Sequence, residues 1–361
     1  MAFDPFDPAG PEFRAAVGRR LKGFLAVQKD LLASAGDRLD PVWKQVRHLA
    51  AGGKRLRPAF CYWAHAAVAG QPDDPRPLLD VAASLDLLHV SALVHDDIID
   101  GSATRRGGPS AHVYFARVHA ERGWSGPSAQ FGHDAAIVLG DLALAGAVAM
   151  AERAQIAPKR LLRARPYLDA ARTEVAAGQY LDILHQAAGP QGDPLEEAEL
   201  VMEFKTSKYT VARPVQVGAA LGLADQETLA HLGRFGSHLG HAFQMRDDVL
   251  GLFGDPAVTG KPAGGDLREG KRTVLLAHAF ALAAEPAAER LRGLVGKRDL
   301  TPAEADEACG ILTECGALEA TERAIEAEAV RALRLLGELE LKPDGEQALT
   351  TLAHAAVDRR A

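Results

Sequence analysis

From about residue 13 to about residue 357, apolar residues recur at helical spacing in long segments cut by short breaks rich in Gly and Pro. Apolar residues at i, i+3, i+4 and i+7 form stripes that bury well only when helix packs on helix. Segments 13–35 and 38–50 have one such stripe, whereas 55–69 and 78–100 are apolar on more than one face and read as interior helices. Segments 131–156, 159–187, 195–223 and 225–253 follow the same period, which resumes at Thr273. The hydrophobic residues are mainly Ala and Leu, and aromatics make up only 6% of the chain, a balance that favours helices over strands. Breaks fall at 70–75, 101–109 and 123–130, with longer irregular stretches from Gly189 to Pro194 and from Gly254 to Gly270. No fixed-period repeat, linker or shift in composition divides the chain. The expected architecture is all-α, a single large helical bundle over 13–357, with an N-terminal tail at 1–12 and a basic C-terminal tail at 358–361.

A net charge of −7 over 361 residues leaves no nucleic-acid footprint. Cys61, Cys309 and Cys315 lack metal or disulfide spacing, which fits a reducing cytoplasm. The first residues have neither a basic n-region nor an apolar h-region, so no signal peptide is expected. No uninterrupted run of 18 apolar residues occurs, so no membrane span is expected either.

Two acidic clusters stand out against this background. Asp96-Asp97-Ile98-Ile99-Asp100 ends the apolar segment 78–100, and Gln244-Met245-Arg246-Asp247-Asp248 lies near the end of 225–253. At about 100° per residue, Asp96 and Asp100 lie about 40° apart on a helical wheel, and His89 lies about 20° from Asp96. An acidic run on a helix is ordinarily a solvated face. Carboxylates that end a buried helix are costly unless paired or bound to metal. Hard oxygen ligands of this kind suit magnesium, which completes its octahedron with water and phosphate oxygens.

Cations accompany both clusters. Gly52-Gly53-Lys54-Arg55-Leu56-Arg57 places three cations behind two glycines, Arg105-Arg106-Gly107 follows the first cluster, and Lys205-Thr206 and Lys208 lie on a helical segment. Gly260-Lys261 and Lys271-Arg272-Thr273 follow the second cluster. Glycines admit close backbone approach to a phosphate, and Lys and Arg supply charge and forked donors. Each alone is a weak signal; together they describe sites for diphosphates.

In this order the motifs resemble those of the trans-prenyl diphosphate synthases, the polyprenyl synthetase family. The resemblance runs from about Gly52 to Thr273 through Gly-Gly-Lys-x-x-Arg, His-x6-Asp-Asp-x-x-Asp, Arg-Arg-Gly, Gly140-Asp141, Gly178-Gln179, Lys205-Thr206, Gln244-x-x-Asp-Asp and a downstream Gly-Lys. The wording around the second cluster is most similar to actinobacterial geranylgeranyl diphosphate synthases. The resemblance implies an isoprenoid-synthase bundle with a central cavity, a homodimer, and condensation of isopentenyl diphosphate with an allylic diphosphate. It implies three magnesium ions, held by Asp96 and Asp100, with Asp97 in support, and by Asp247, with Asp248 in the outer shell. It further implies that Arg105, Lys205, Lys261 and Lys271 bind the allylic diphosphate and that Thr206 and Gln244 line the place of bond formation. Gly53, Lys54, Arg57, His89 and Arg106 would hold isopentenyl diphosphate.

In this family, bulky residues four and five positions before the first Asp limit chain growth; here they are Ala92 and Ser91, both small. Small residues there disfavour C10 and strict C15 products, and the similarity in local wording implies C20, geranylgeranyl diphosphate, with farnesyl and C25–C35 products as alternatives. One departure is Gly251, where the second cluster commonly carries a third Asp; Asp255 and Asp266 are candidates to compensate. A non-catalytic helper subunit is a further alternative, against which the intact first cluster argues. A class I terpene cyclase would not need the second set of diphosphate-binding cations.

Overall fold

The computed structural model describes residues 2–189, 191–254 and 264–358. The helices in chain order are α1 (Pro11–Leu31), α2 (Asp40–Ala51), α3 (Leu56–Ala69), α4 (Arg76–Asp100), α5 (Ala111–Glu121), α6 (Ser128–Glu152), α7 (Pro158–Ala188) and α8 (Pro194–Met202). After a π-helical stretch, Glu203–Ala212, come α9 (Arg213–Leu221), α10 (Gln226–Phe253), α11 (Gly265–Glu269), α12 (Val274–Leu282), α13 (Glu285–Leu294), α14 (Pro302–Glu314), α15 (Ala317–Gly337) and α16 (Pro343–Val357). Among the described residues the only sheet is a two-stranded antiparallel ribbon, β1 (Thr104–Arg105) with β2 (Gly108–Pro109). The all-α expectation holds.

The chain forms two compact units. One takes residues up to Leu168 together with Pro214–Ala224 and Leu341–Leu349; the other takes the remainder. Several crossings fall inside or at the ends of helices, so no linker or change of composition marks them in the sequence.

In the first unit α4 is the central helix and packs against α1, α3 and α6. Val81, Ala82, Leu85, Leu87, Val90 and Val94 are fully enclosed, and burying each large aliphatic side chain is worth about 1.5–3 kcal/mol. α6 meets α4 with Ala136, Leu139, Ala143 and Ala147 and leaves Ile137 and Val138 exposed. Both α4 and α6 are long and apolar enough, by length and composition, to cross a membrane. Counting uninterrupted apolar runs missed this, because isolated polar residues break the runs without lowering the mean. For α4 the hydropathy is that of a core helix, with 72% of its most apolar window buried.

The residues expected to form an N-terminal tail are docked. Phe3 is buried edge-on against Phe13 and Tyr62, its amide donates to Gln71 Oε1 (2.8 Å), and Trp63 Nε1 donates to the Pro8 carbonyl (2.8 Å).

The core of the second unit gathers Met245, Val249 and Leu252 of α10, Leu275 and Leu276 of α12, Leu312 of α14 and Ile325 of α15. Side-chain caps fix the helix starts: Asp225 accepts from the Thr228 amide (2.8 Å), and Thr301 and Glu304 form a reciprocal capping box. The segment 195–223, expected as one helix, is instead α8, the π-helical stretch and α9. Wider i→i+5 pairing barely alters the apolar spacing, so the period does not reveal it.

Candidate active site

In the first unit a group of candidate residues is built at the C-terminal end of α4. The helix stops where Gly101 adopts a left-handed conformation (φ 70°), and the amides of Gly101 and Ser102 both donate to the Asp97 carbonyl. The chain then turns back through the ribbon, with Arg106 (φ 53°) and Gly107 (φ 74°) both left-handed at its tip, the geometry of a tight two-residue hairpin. This return brings Arg105 onto Asp97, whose Oδ1 accepts from Arg105 Nε (2.8 Å) and from Nη2. Asp97 is almost wholly buried. The resemblance implies that Asp97 supports the metal cluster; in the structure its enclosed carboxylate holds the Arg105 guanidinium. Asp96 is half-buried and Asp100 buried at the same helix end.

Arg106 reaches the other way. Its Nη1 donates to the Gly52 carbonyl (3.0 Å), and its guanidinium lies over the Gly52-Gly53 backbone, 3.3 Å from where a Cβ on Gly53 would sit. Of the three cations that follow, Lys54 is exposed and Arg57 half-buried, while Arg55 turns inward. Arg55 is itself left-handed (φ 56°) and starts α3. Its Nη1 donates to Asp86 Oδ2 (2.6 Å) and its Nη2 to the carbonyls of Ala50 (2.6 Å) and Ala51 (3.1 Å), closing the end of α2. Arg55 therefore builds the loop that presents Lys54 and Arg57.

His89 stands in the field of these guanidiniums. Burial, followed by the charges of Arg57, Arg106, Arg105 and Arg55, holds its imidazole well below the usual histidine range, so it is neutral. Burial first, and then mutual repulsion with Arg55, Arg57 and Arg105, also lowers Arg106, with Asp86 opposing the shift. So many cations around one neutral imidazole suit an anion.

The motif Gly140-Asp141 acquires a physical meaning on α6. A Cβ at Gly140 would lie 2.1 Å from His95 Nε2, so the bare glycine accommodates the His95 ring in this position, where it shares a 3.2 Å contact with the Ile137 carbonyl and lies 3.7 Å from Asp141. His95 was not expected as a site residue; its only signal was its place beside Asp96. The same seam separates the two chain-length candidates. Leu87 and His95 face Gly146 and Gly140 of α6, and Ser91, one turn from each, is buried on that stripe. Ala92 is half-buried, on the stripe of Asp96.

In the second unit a separate group of candidate residues lies on α7, the π-helical stretch and α10. A Cβ at Gly178 would fall 2.2 Å from the Lys205 amide nitrogen and 2.4 Å from the Phe204 carbonyl carbon. Bare glycine on α7 thus lets the π-helical backbone pass in contact, a feature that recurs at functional sites. Beside it, Gln179 Nε2 is enclosed without a hydrogen-bond partner among the described residues. Lys205 Nζ pairs with Asp182 Oδ2 (2.5 Å), a buried carboxylate one turn beyond Gly178 that sequence reasoning missed. Lys208 lies over the Phe204 ring (3.6 Å) and within 3.7–3.8 Å of Glu174 and Glu203. Thr206 is half-buried.

On α10, Gln244 Nε2 donates to Asp248 Oδ1 (2.7 Å). Burial and then the nearby charge of Asp266 raise the Asp248 carboxyl well above the usual range, while the hydrogen bond from Gln244 opposes this. Asp247 is half-buried. Arg246 points elsewhere, to Glu322 (2.6 and 2.7 Å) and the Val357 carbonyl (3.0 Å), tying down α15 and the end of α16. Lys271 Nζ pairs with Glu269 (2.6 Å) and lies 3.8 Å from Asp266. Lys261, Asp255, Arg359 and Arg360 lie outside the described residues.

The donor set suits magnesium better than zinc. Among the described residues no three His, Cys, Asp or Glu side chains converge to hold a metal unaided. The clustered carboxylates, with Arg and Lys close by, suit a hard cation that draws its other ligands from water and a diphosphate.

Residues 41–312 match the family model for polyprenyl synthetase. The chain is 33% identical over 283 residues to a geranylgeranyl diphosphate synthase of Methanosarcina mazei, covering 78% of this chain and 79% of the relative. It is 30% identical over 340 residues to a geranylfarnesyl diphosphate synthase of Aeropyrum pernix, covering 93% and 96%. Among solved structures, a geranylgeranyl pyrophosphate synthase of Corynebacterium glutamicum, complexed with isoprenyl diphosphate and magnesium, superposes with a TM-score of 0.92 at 36% identity, covering 97% of this chain and 99% of that one. The fold, the cation-lined acidic helix ends and this similarity along most of the chain agree: the protein belongs to the polyprenyl synthetase family of prenyltransferases.

Proposed function

We propose that this prenyltransferase condenses isopentenyl diphosphate head-to-tail with allylic diphosphates to make an all-trans product, geranylgeranyl diphosphate. The observation that carries the reading is the end of α4, where Asp96 and Asp100 flank the Asp97 that holds Arg105, and His89 of the same helix lies in the field of Arg57, Arg106 and Arg105. One group suits a magnesium-bound diphosphate, the other a diphosphate held directly by cations and backbone.

Arg57, His89, Arg106 and the Gly53 backbone, with Lys54 at the rim, hold isopentenyl diphosphate in this reading. Arg105, Lys205 and Lys271 take the allylic diphosphate, and Asp96, Asp100 and Asp247 carry the magnesium ions, three with substrate bound. Magnesium supplies charge neutralisation that lets the diphosphate leave. Lys205 and Arg105 add to that neutralisation where charge develops. The isopentenyl double bond then attacks the allylic cation beside Thr206 and Gln244, and the expelled pyrophosphate takes the final proton. Apolar walls exclude water from the cation.

Ala92 on the Asp96 stripe leaves space for a growing chain, which favours C20 over C10 or C15. The intact Asp96, Asp97 and Asp100 argue for a catalyst rather than a helper subunit. The exposed Ile137 and Val138 on α6, 46% and 64% accessible, support a homodimer built on that helix. The free cysteines, with the thiol of buried Cys61 raised by burial, suit a cytoplasmic enzyme. The test is product analysis: magnesium, isopentenyl diphosphate and each allylic starter, followed by hydrolysis and mass measurement. A dominant C20 alcohol is expected. A ladder of C25 or longer would overturn the chain length, and absence of product with every starter would overturn the catalytic reading.

A further inference from the structure

The π-helical stretch meets α10 as closely as it meets α7. A Cβ at Gly240 would lie 2.5 Å from the Ser207 Cα, and one at Gly236 would lie 2.4 Å from the Ala212 Cα. Bare glycines set how near the two backbones come, but they hold no directional bond to fix how far the stretch slides along α10. A polar bracket beside them does. Glu203, the first residue of the stretch, accepts from the Ser237 hydroxyl (3.1 Å) and from His241 Nε2 (2.8 Å). Ser237 and His241 are four apart, on a stripe of α10 that continues to Gln244 and Asp248. The other ring nitrogen of His241 lies 3.8 Å from Glu328 Oε2 on α15, and that oxygen also accepts from His238 Nδ1 (2.6 Å). Arg331 holds the second oxygen of Glu328 (2.5 Å), and Lys208 lies 3.8 Å from Glu203. Burial pushes both carboxyls up. The hydrogen bond and charge of His241 outweigh it at Glu203, and those of His238 outweigh it at Glu328, so both stay below the usual carboxylate range. The His241 ring thus stands between two ionised carboxylates, one on each neighbouring element.

We propose that His241 is a positioning residue: through Glu203 it fixes the register of the π-helical stretch on α10, and with it the placement of Lys205 and Thr206 relative to Gln244. The inference rests on the reading of Lys205 as a ligand of the allylic diphosphate. Glu203 lies two residues before Lys205, and His241 lies three before Gln244, so a slip between this pair carries both sides of the reaction point with it. A paired charge in a half-buried seam is a weak source of stability but a strong selector of register, because every other register strands a charge. Lys205 acts where charge develops on the leaving diphosphate, so its displacement slows the reaction more than it weakens the binding of isopentenyl diphosphate.

The test compares wild type with H241L, H241Q and E203L/H241L in kcat, in KM for isopentenyl diphosphate and in thermal melting, using the allylic starter that the wild type turns over fastest. H241L is expected to lower kcat about 10–100-fold, the scale of a displacement approaching 1 Å. Its KM for isopentenyl diphosphate is expected to stay within about twofold, the mark of an interaction made in the transition state. H241Q keeps a donor near the place of Nε2 and is expected to recover the rate to within about threefold of wild type. E203L/H241L removes both charges together, so it is expected to melt like wild type and yet turn over as slowly as H241L. H241L turning over like wild type, or H241Q no faster than H241L, would overturn the role of His241. A double variant that regains both melting and rate would show that the pair serves stability alone and would overturn the positioning. Absence of turnover in the wild type would instead count against the prenyltransferase reading.

Discussion

Gly178 offers the sharpest separation between stability and catalysis. In Gly178→Ala the new Cβ meets backbone, 2.2 Å from the Lys205 nitrogen and 2.5 Å from its Cα, so no side-chain rotation relieves it. Ordinary contact begins at 3.4 Å, which forces the π-helical stretch to recede by about 1.2 Å from α7. Overpacking of this kind costs about 1–3 kcal/mol. Replacing Gly by Ala within a helix returns about 1 kcal/mol. The net loss of about 0–2 kcal/mol lowers the melting temperature of a chain this long by roughly 0–3 °C. Catalysis is far more sensitive, because Lys205 leaves its 2.5 Å contact with Asp182 and misplacement by about 1 Å costs on the order of 10²-fold in rate. Steady-state incorporation of labelled isopentenyl diphosphate, alongside thermal melting and circular dichroism, reads both effects. Gly310→Ala, which meets nothing within 4 Å, is the control and is expected to behave like wild type or melt higher. A G178A enzyme turning over within about threefold of wild type would refute the argument that this crossing sets the position of Lys205.

Asp96→Asn is expected to abolish most turnover with helical content unchanged; near-normal turnover would remove the metal-site reading of α4. Arg55→Met strands the buried Asp86 carboxylate and is expected to cost about 3–5 kcal/mol in urea unfolding, whereas a loss below about 1 kcal/mol would show that the α2–α3 loop does not depend on this pair. Ala92→Phe narrows the Asp96 stripe and is expected to shorten the product, while an unchanged product distribution would place the limit of growth elsewhere.

Periodicity and composition alone determined that this chain is all-α, because helix–helix burial is the economical use of Ala- and Leu-rich stripes. They also determined that α4 is interior and that its last turn carries two carboxylates on one stripe, since residues four apart stack in any α-helix. Motif order pointed to the family. Other facts depended on pairs distant in the chain. Nothing local distinguishes Arg55 from Arg57, yet Asp86 draws one inward and the other remains at the site. Gly140 and Gly178 were visible as motifs, but their reasons, the ring of His95 and the backbone of Lys205, lie 45 and 27 residues away. Asp182 looked like any helical carboxylate until Lys205 closed on it. The π-helical stretch left no mark in the apolar spacing. Sequence fixes the period along a helix; which side chains meet across two helices is decided by crossings and loop returns, and there a single missing Cβ or one buried charge settles the outcome.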